Sequence, residues 1–399
     1  MASTAPPVPT RAPSAPRRAL VACVAVVVLL IGAGQLDHLF RGGLNAPLDF
    51  AEYWTAGGLN AAGENPYSGA NVRAVQRGLG LDDTAIMMWN PPWALTLVMP
   101  VGLLPFRIAY GVWVVLHLAL VVASAELLWR GFGGPPRRRW VAHLVALTFG
   151  PTFFLIGSGQ ITAVVLFGVA GFLYLAGNNR PLAAGACAAL AAVKPHLLSL
   201  FALWLVLEAT RCAFGRKVVL GGLLVGLAAC APPTLANPDV WAQYWEACRG
   251  PSSADHRHVA DWKPPLVGWW VRQAVPGAPF WVQWLPVALA AVAGAAAWAK
   301  SRRPTDRLPW VVGASLLVAP YGAWAFDLVL LLVPVLAVAA RLANAPDRRA
   351  IALGVATLAS VNAVSLVMMA NGVSSEWYVW FAPCVLLGVA AARRARAPA

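Results

Sequence analysis

RIAYGVWVVLHLALVVASAELLW, residues 107–129, decides what kind of protein this is. At about 1.5 Å per helical residue the run measures about 35 Å, enough to cross a hydrocarbon layer of about 30 Å. It is not alone, since comparable apolar runs recur along the whole chain after residue 19. The protein has 399 residues, 59% hydrophobic and 12% charged. Soluble domains run at about 45–50% apolar and about 25% charged, and one soluble core cannot hide this excess. Lipid admits only helices and closed barrels. Strand-like alternation of period two is absent, so the expectation is an all-α, polytopic transmembrane helical bundle of about 12 spans.

The charges set the orientation. A formal charge of +14 raises the possibility of nucleic acid. The basic residues, however, sit in short clusters between apolar runs, as the positive-inside rule requires. No nucleic-acid partner is expected. Clusters at Arg211 to Lys217, Lys300 to Arg307, Arg341 to Arg349 and Arg393 to Arg396 mark the cytoplasmic face. Two polar stretches mark the other. The first outer loop, 37–90, holds Asp37, Asp49, Glu52, Glu64, Asp82 and Asp83. The large outer loop, 236–280, holds Asp239, Glu246, Asp255 and Asp261 with Trp241, Trp245, Trp262, Trp269 and Trp270. Tryptophan settles at headgroup level.

Residues 1–18 read as a disordered tail. The run 19–36 fits a signal peptide or an uncleaved first span, and the long bundle that follows favours the span. With the N-terminus taken as cytoplasmic, the basic clusters put the C-terminus on the same side. One membrane domain, 19–392, is followed by the basic tail 393–399. Later spans are expected near 218–235, 281–299, 309–320, 325–341, 350–370 and 377–392. Over 91–210 two paths give the same total. One has spans at 91–106, 107–129, 141–157, 160–176 and 182–209, leaving Arg137, Arg138 and Arg139 outside. The other makes 91–105 re-entrant and splits 182–209 around Lys194-Pro195. Six cysteines show no pairing framework or metal spacing.

Several features can carry chemistry. Residues 49–54 read Asp49-Phe50-Ala51-Glu52-Tyr53-Trp54, ahead of Asn65-Pro66-Tyr67. On a short amphipathic helix over 48–62, Asp49, Glu52 and Tyr53 share one face, and the segment lies along the membrane surface. A carboxylate there can take a proton from a hydroxyl; an acid in a first turn is also what the helix dipole favours. Gln160, in Gly157-Ser158-Gly159-Gln160, reads as a ligand contact or as interhelical glue. Lys194, beside Pro195 and His196 in an apolar run, reads as an anion-binding cation, a snorkelling one, or one partnered by carbonyls the proline frees. Asp327, ahead of an unbroken apolar run, needs a partner or a function. His256, Arg257, His258 and Lys263 in the large outer loop can grip a phosphate or simply be solvated.

Taken in order, these pieces resemble glycosyltransferase family 87, a bacterial membrane family of the GT-C superfamily. The resemblance rests on Asp49-Phe50 with Tyr53, Asn65-Pro66-Tyr67, Pro91-Pro92, Leu104-Pro105, Gly159-Gln160, Lys194-Pro195, and Pro320-Tyr321 with Asp327. It covers about 40 to 380. It implies a GT-C bundle in the bacterial plasma membrane that moves a hexose, typically mannose, from a polyprenyl-phosphate donor to a lipid- or glycan-linked acceptor at the outer face, with inversion. By resemblance Asp49 is the catalytic base, and Glu52, Tyr53, Gln160, Lys194, His258, Lys263 and Asp327 are substrate-binding candidates. No cofactor or metal is implied. The mannosyltransferase branch carries a His-His pair where this chain has Phe326-Asp327. It also favours the first path over 91–210. The competing reading is a non-enzymatic transporter or flippase of lipid-linked or anionic solutes, which calls for internal repeats with matching broken helices; a structural subunit is the third.

Overall fold

The computed structural model of the chain describes residues 48–81, 84–300 and 307–394. The expected first span (19–36), the tail 1–18 and Asp37, Asp82 and Asp83 lie outside the described residues, as does most of the C-terminal tail. The described residues form helices, and their one β-type pairing is an isolated bridge between Ala85 and His256.

The helices are α1 (Leu48–Ala61), α2 (Gly69–Arg77), α3 (Leu95–Gly102), α4 (Phe106–Gly131), α5 (Trp140–Thr148), α6 (Gly150–Ser158) and α7 (Thr162–Gly177). They continue with α8 (Pro181–Ala191), α9 (Ser199–Arg211), α10 (Ala213–Ala236), α11 (Val240–Arg249), α12 (Val267–Gln273), α13 (Leu285–Ala299) and α14 (Leu308–Leu317). The last are α15 (Leu332–Asn344), α16 (Arg348–Ala370) and α17 (Phe381–Arg394). Six helical stretches are long and apolar enough to cross a membrane: Phe106–Gly131, Ala213–Ala236, Phe280–Ala299, Asp327–Asn344, Arg348–Ala370 and Ser375–Arg394. A seventh crossing results if α5, with the turn before it, and α6 act as one span bent by 57°. This is a membrane protein.

Fewer helices qualify than the apolar runs suggested, because the shorter ones are broken or cut short. Pro92–Gly102, Thr162–Gly177, Pro181–Ala191 and Leu308–Leu317 reach only 10–17 residues, about 15–25 Å at 1.5 Å per residue. Each break has a visible cause. Between α5 and α6, Phe149 is extended (ψ 123°) and Pro151 follows. The backbone groups freed there are taken by Asn362 of α16: Gly150 N–H donates to Asn362 Oδ1 (2.8 Å) and Asn362 Nδ2 donates to the Thr148 carbonyl (2.9 Å). A side chain from a neighbouring helix thus does what water cannot do in lipid.

The structure separates the two paths through 91–210. Both ends of the 91–105 segment meet α1. Pro91 lines the same cavity as Asp49, while the Leu104 carbonyl accepts from Trp54 Nε1 (2.8 Å) and Phe106 packs on Phe50 at 5.3 Å. Both ends thus lie beside the same helix, and the helical part, Pro92–Gly102, is too short to qualify as a crossing. Helix α4 then runs away from α1, so Arg137, Arg138 and Arg139 join the other basic clusters: Arg138 donates to the Ala343 carbonyl (2.8 Å) and Asn344 to the Gly133 carbonyl (2.8 Å). The first path, which left these arginines beside the acidic loops, is corrected, and the split of 182–209 around Lys194-Pro195 goes with the correction.

Close packing needs small residues at two crossings. A Cβ on Gly57 would stand 2.3 Å from the Val98 carbonyl oxygen, seating α1 on α3. A Cβ on Gly185 would stand 1.9 Å from the Val218 carbonyl oxygen, seating α8 on α10. Small residues at helix interfaces let backbones approach where no hydrophobic force drives helices together in lipid.

Candidate functional site

At the end of the bundle opposite the basic clusters lies a cavity of about 350 Å³. Its wall comes from segments far apart in sequence: α1, the stretch before α3, the turn after α6, the break between α8 and α9, the large outer loop and the tip before α15.

Helix α1 presents Asp49, Glu52 and Tyr53 to this cavity. Its register is fixed from behind. Phe50 is fully buried among Phe106, Tyr110 and Trp113, with centroids 5.3, 5.3 and 5.6 Å away. Tyr53 stacks on Trp113 (5.6 Å, 29°) and its hydroxyl donates to Gln160 Oε1 at 2.5 Å. Trp113 Nε1 donates to the Gly159 carbonyl (2.7 Å). Gly159 has φ +75°, and a Cβ there would meet Phe50 Cβ at 2.6 Å, so only glycine serves. Gln160 is thus held between Tyr53 and the Ile161 N–H (3.2 Å) and tethers α1 to the bundle.

Two carboxyls on one helix face, largely out of water, cannot both ionise freely. Burial pushes Asp49 up to about 6, although Lys194 and hydrogen bonds with Ser158 and Gln160 pull the other way. Glu52 is raised as well, by burial first and then by the like charge of Asp49. Asp49 is the more exposed of the two.

Lys194 and Asp327, 133 residues apart, form one buried ion pair, Nζ to Oδ1 at 2.9 Å. Lys194 is 5% exposed and Asp327 is fully buried. Asp327 Oδ1 also accepts from the Thr162 hydroxyl, and its Oδ2 from the Trp324 N–H (2.9 Å). The carbonyls freed by Pro195 do not serve the lysine. The Ala192 carbonyl accepts from Trp93 Nε1 (2.9 Å) and the Val193 carbonyl from Asn90 Nδ2 (2.8 Å). Sequence reasoning missed Asn90 and Trp93, since of that stretch it singled out only Pro91 and Pro92.

The large outer loop closes over one side of the cavity. Ala85 N–H donates to the Asp255 carbonyl (2.6 Å), and Arg73 pairs with the Asp255 carboxylate at 3.2 Å. This clamp brings Arg257 and Trp262 to the cavity wall beside Trp89, Trp324, Tyr321 and Phe326. Two other loop candidates point elsewhere. His258 spends both ring nitrogens inside the loop, Nδ1 accepting from the Ala260 N–H (3.2 Å) and Nε2 bonding the Cys248 carbonyl (3.1 Å). Lys263 is exposed and forms no part of the wall. No group of three or more His, Cys, Asp or Glu residues among those described could hold a metal ion.

The cavity therefore offers acids at one wall, an aromatic rim, and an exposed arginine whose charge no carboxylate among the described residues offsets. The family model of glycosyltransferase family 87 matches residues 89–320. The chain belongs to glycosyltransferase family 87. The matched region holds Asn90, Gln160, Lys194, Arg257 and Trp262, while Asp49 and Asp327 fall outside it, on the near and far side. No curated protein and no solved structure matches the chain. Family membership makes it a membrane glycosyltransferase and sets aside the transporter and structural-subunit readings.

Proposed function

We propose that this family 87 enzyme transfers a hexose, mannose by family resemblance, from a polyprenyl-phosphate donor to a lipid- or glycan-linked acceptor, with Asp49 as the general base. The observation that carries the reading is the placement of Asp49: a half-buried carboxylate on the wall of a cavity that also presents Arg257, exposed and without a carboxylate partner among the described residues. A base held near pKa 6 is ionised at neutral pH yet basic enough to receive a proton.

The step runs as follows. Asp49 accepts the proton of the acceptor hydroxyl, and the hydroxyl oxygen attacks the anomeric carbon from the face opposite the phosphate. The bond from the anomeric carbon to the phosphate oxygen breaks, the electron pair leaves with the polyprenyl phosphate, and the configuration inverts. Charge growing on the phosphate requires a cation. Lys194 is a poor choice, since Asp327 already neutralises it. Arg257, exposed on the cavity wall, is the better one, and its planar fork suits phosphate oxygens. Glu52 and Tyr53 position the acceptor, and Gln160 keeps Tyr53 in place.

In the same proposal the chain crosses the bacterial plasma membrane about 12 times. Support comes from six helices long and apolar enough to cross, or seven if the bent pair α5 and α6 is one span, with further short apolar helices among the described residues. The N- and C-termini are cytoplasmic, because the basic clusters gather at the end away from the cavity. The test is transfer by purified protein in liposomes from labelled polyprenyl-phosphate hexoses. An α-linked product from a β-linked donor is expected. Retained anomeric configuration, or transfer from a nucleotide sugar alone, overturns the proposal.

A further inference from the structure

The basic end of the bundle carries two adjoining cavities that the transfer reaction does not use. One, of about 490 Å³, is an apolar groove between α9, α13 and α14, lined by Leu200, Leu207, Ala293 and Gly294. The other, of about 620 Å³, opens between the basic-end termini of α4, α7, α14, α15 and α17. They share Trp204 and Trp310. Arg307 lies on the first, and Arg341 and Arg393 on the second. All three arginines are exposed, and no Asp or Glu lines either cavity. None of the three has a carboxylate within salt-bridge distance among the described residues. Arg393 sits over the Trp310 ring (5.6 Å), and Trp298 closes the basic end of the groove. Tryptophan with arginine is the pairing expected at headgroup level.

An apolar trough leading to three guanidinium groups that no carboxylate among the described residues offsets has the polarity of a lipid with a negative head. We propose that this is a binding site for an anionic glycerophospholipid of the adjacent leaflet, its acyl chain in the groove and its phosphate among Arg307, Arg341 and Arg393. The inference stands apart from the proposed reaction. The shape supports one occupant in particular: the groove is too apolar for a soluble anion, and the arginines give a zwitterionic lipid no advantage. Juxtamembrane cations attract anionic lipid about fivefold each, so three give a preference on the order of a hundredfold.

Native mass spectrometry of the full chain, titrated with phosphatidylglycerol and with phosphatidylcholine, tests this. The wild type should retain one phosphatidylglycerol in strong preference to phosphatidylcholine. The triple variant Arg307→Gln, Arg341→Gln, Arg393→Gln should lose the preference. Gly294→Leu is an independent check. A Cβ at Gly294 meets nothing within 4 Å, so the larger side chain fills the groove without pressing on the protein. It should weaken retention while all three charges remain. Unchanged retention in the triple variant, or in Gly294→Leu, refutes the site. So does the absence of any lipid preference in the wild type, as expected if another part of the chain fills the groove. Displacement of phosphatidylglycerol by an equimolar polyprenyl monophosphate would assign the groove to the donor lipid and overturn the proposal.

Discussion

Removing both members of the Lys194–Asp327 pair should cost no more than removing one, and far less than the sum of the two single losses. In Lys194→Met the Asp327 carboxylate keeps the Thr162 hydroxyl and the Trp324 N–H but loses its counter-charge. In Asp327→Asn the ammonium of Lys194, 5% exposed, keeps an amide oxygen and the Phe326 ring at 4.9 Å but loses the carboxylate that neutralises it. Breaking a buried pair from one side costs about 3–5 kcal/mol, and an uncompensated charge in a membrane bundle costs about 2.5–3.5 kcal/mol on insertion scales. Each single variant should therefore lose about 3 kcal/mol. The double variant removes both charges and keeps an acceptor for Thr162, so it should lose about 1–3 kcal/mol, not the sum of about 6. The coupling is then about 3 kcal/mol or more, read as the departure from additivity in a double-mutant cycle. Reversible unfolding in mixed micelles, followed by tryptophan fluorescence, gives the four free energies. Additive losses would show that the two charges do not sense one another, and would return Lys194 to the pool of free cations at the cavity.

Other consequences are as direct. The transfer rate should fall as pH drops through about 6, roughly tenfold per unit below about pH 5, because protonated Asp49 cannot accept the acceptor's proton; a flat profile from pH 5 to 8 speaks against it. The same group makes a stability statement. Its folded pKa lies above the ordinary 3.8, so stability falls as pH rises from about 4 to 6, by up to about 3 kcal/mol. Asp49→Asn should thus stabilise the protein at pH 8 and not at pH 4. Asn362→Leu, at the break between α5 and α6, orphans the Gly150 N–H and the Thr148 carbonyl and should cost about 2–4 kcal/mol in the same unfolding assay. Arg257→Gln should lower kcat for a lipid-phosphate donor by about tenfold or more with little change in stability, because the side chain is exposed and unpaired by any carboxylate among the described residues.

Much of this architecture could be read from the chain, in proportion to how local each signal is. The long apolar runs and the Pro195 break announce themselves within their own windows. Asp327 was identifiable as an acid in need of a partner, and Lys194 as a cation in need of one. That each satisfies the other depends on bringing together residues 133 positions apart, which no window contains. The Asn362 bridge to Thr148 and Gly150 was invisible for the same reason. Nothing marks one asparagine in an apolar helix as the cap of a distant break. The apolar run at 91–105 looked like a span because composition reports hydrophobicity, not path. Its return to α1 is set by where Leu104 and Phe106 find partners. In the large outer loop, charge alone did not distinguish Arg257, on the cavity wall, from His258, which is absorbed by the loop's own carbonyl and amide.

Whether Asp49 is the base is decided most directly by single-turnover transfer at pH 8 with Asp49→Asn, beside Asp49→Glu as the carboxylate-retaining control. The account predicts a loss of at least about a thousandfold in the amide variant, partial activity in the glutamate, and a folded, donor-binding protein in both. Transfer by Asp49→Asn at a rate within about tenfold of wild type would contradict it.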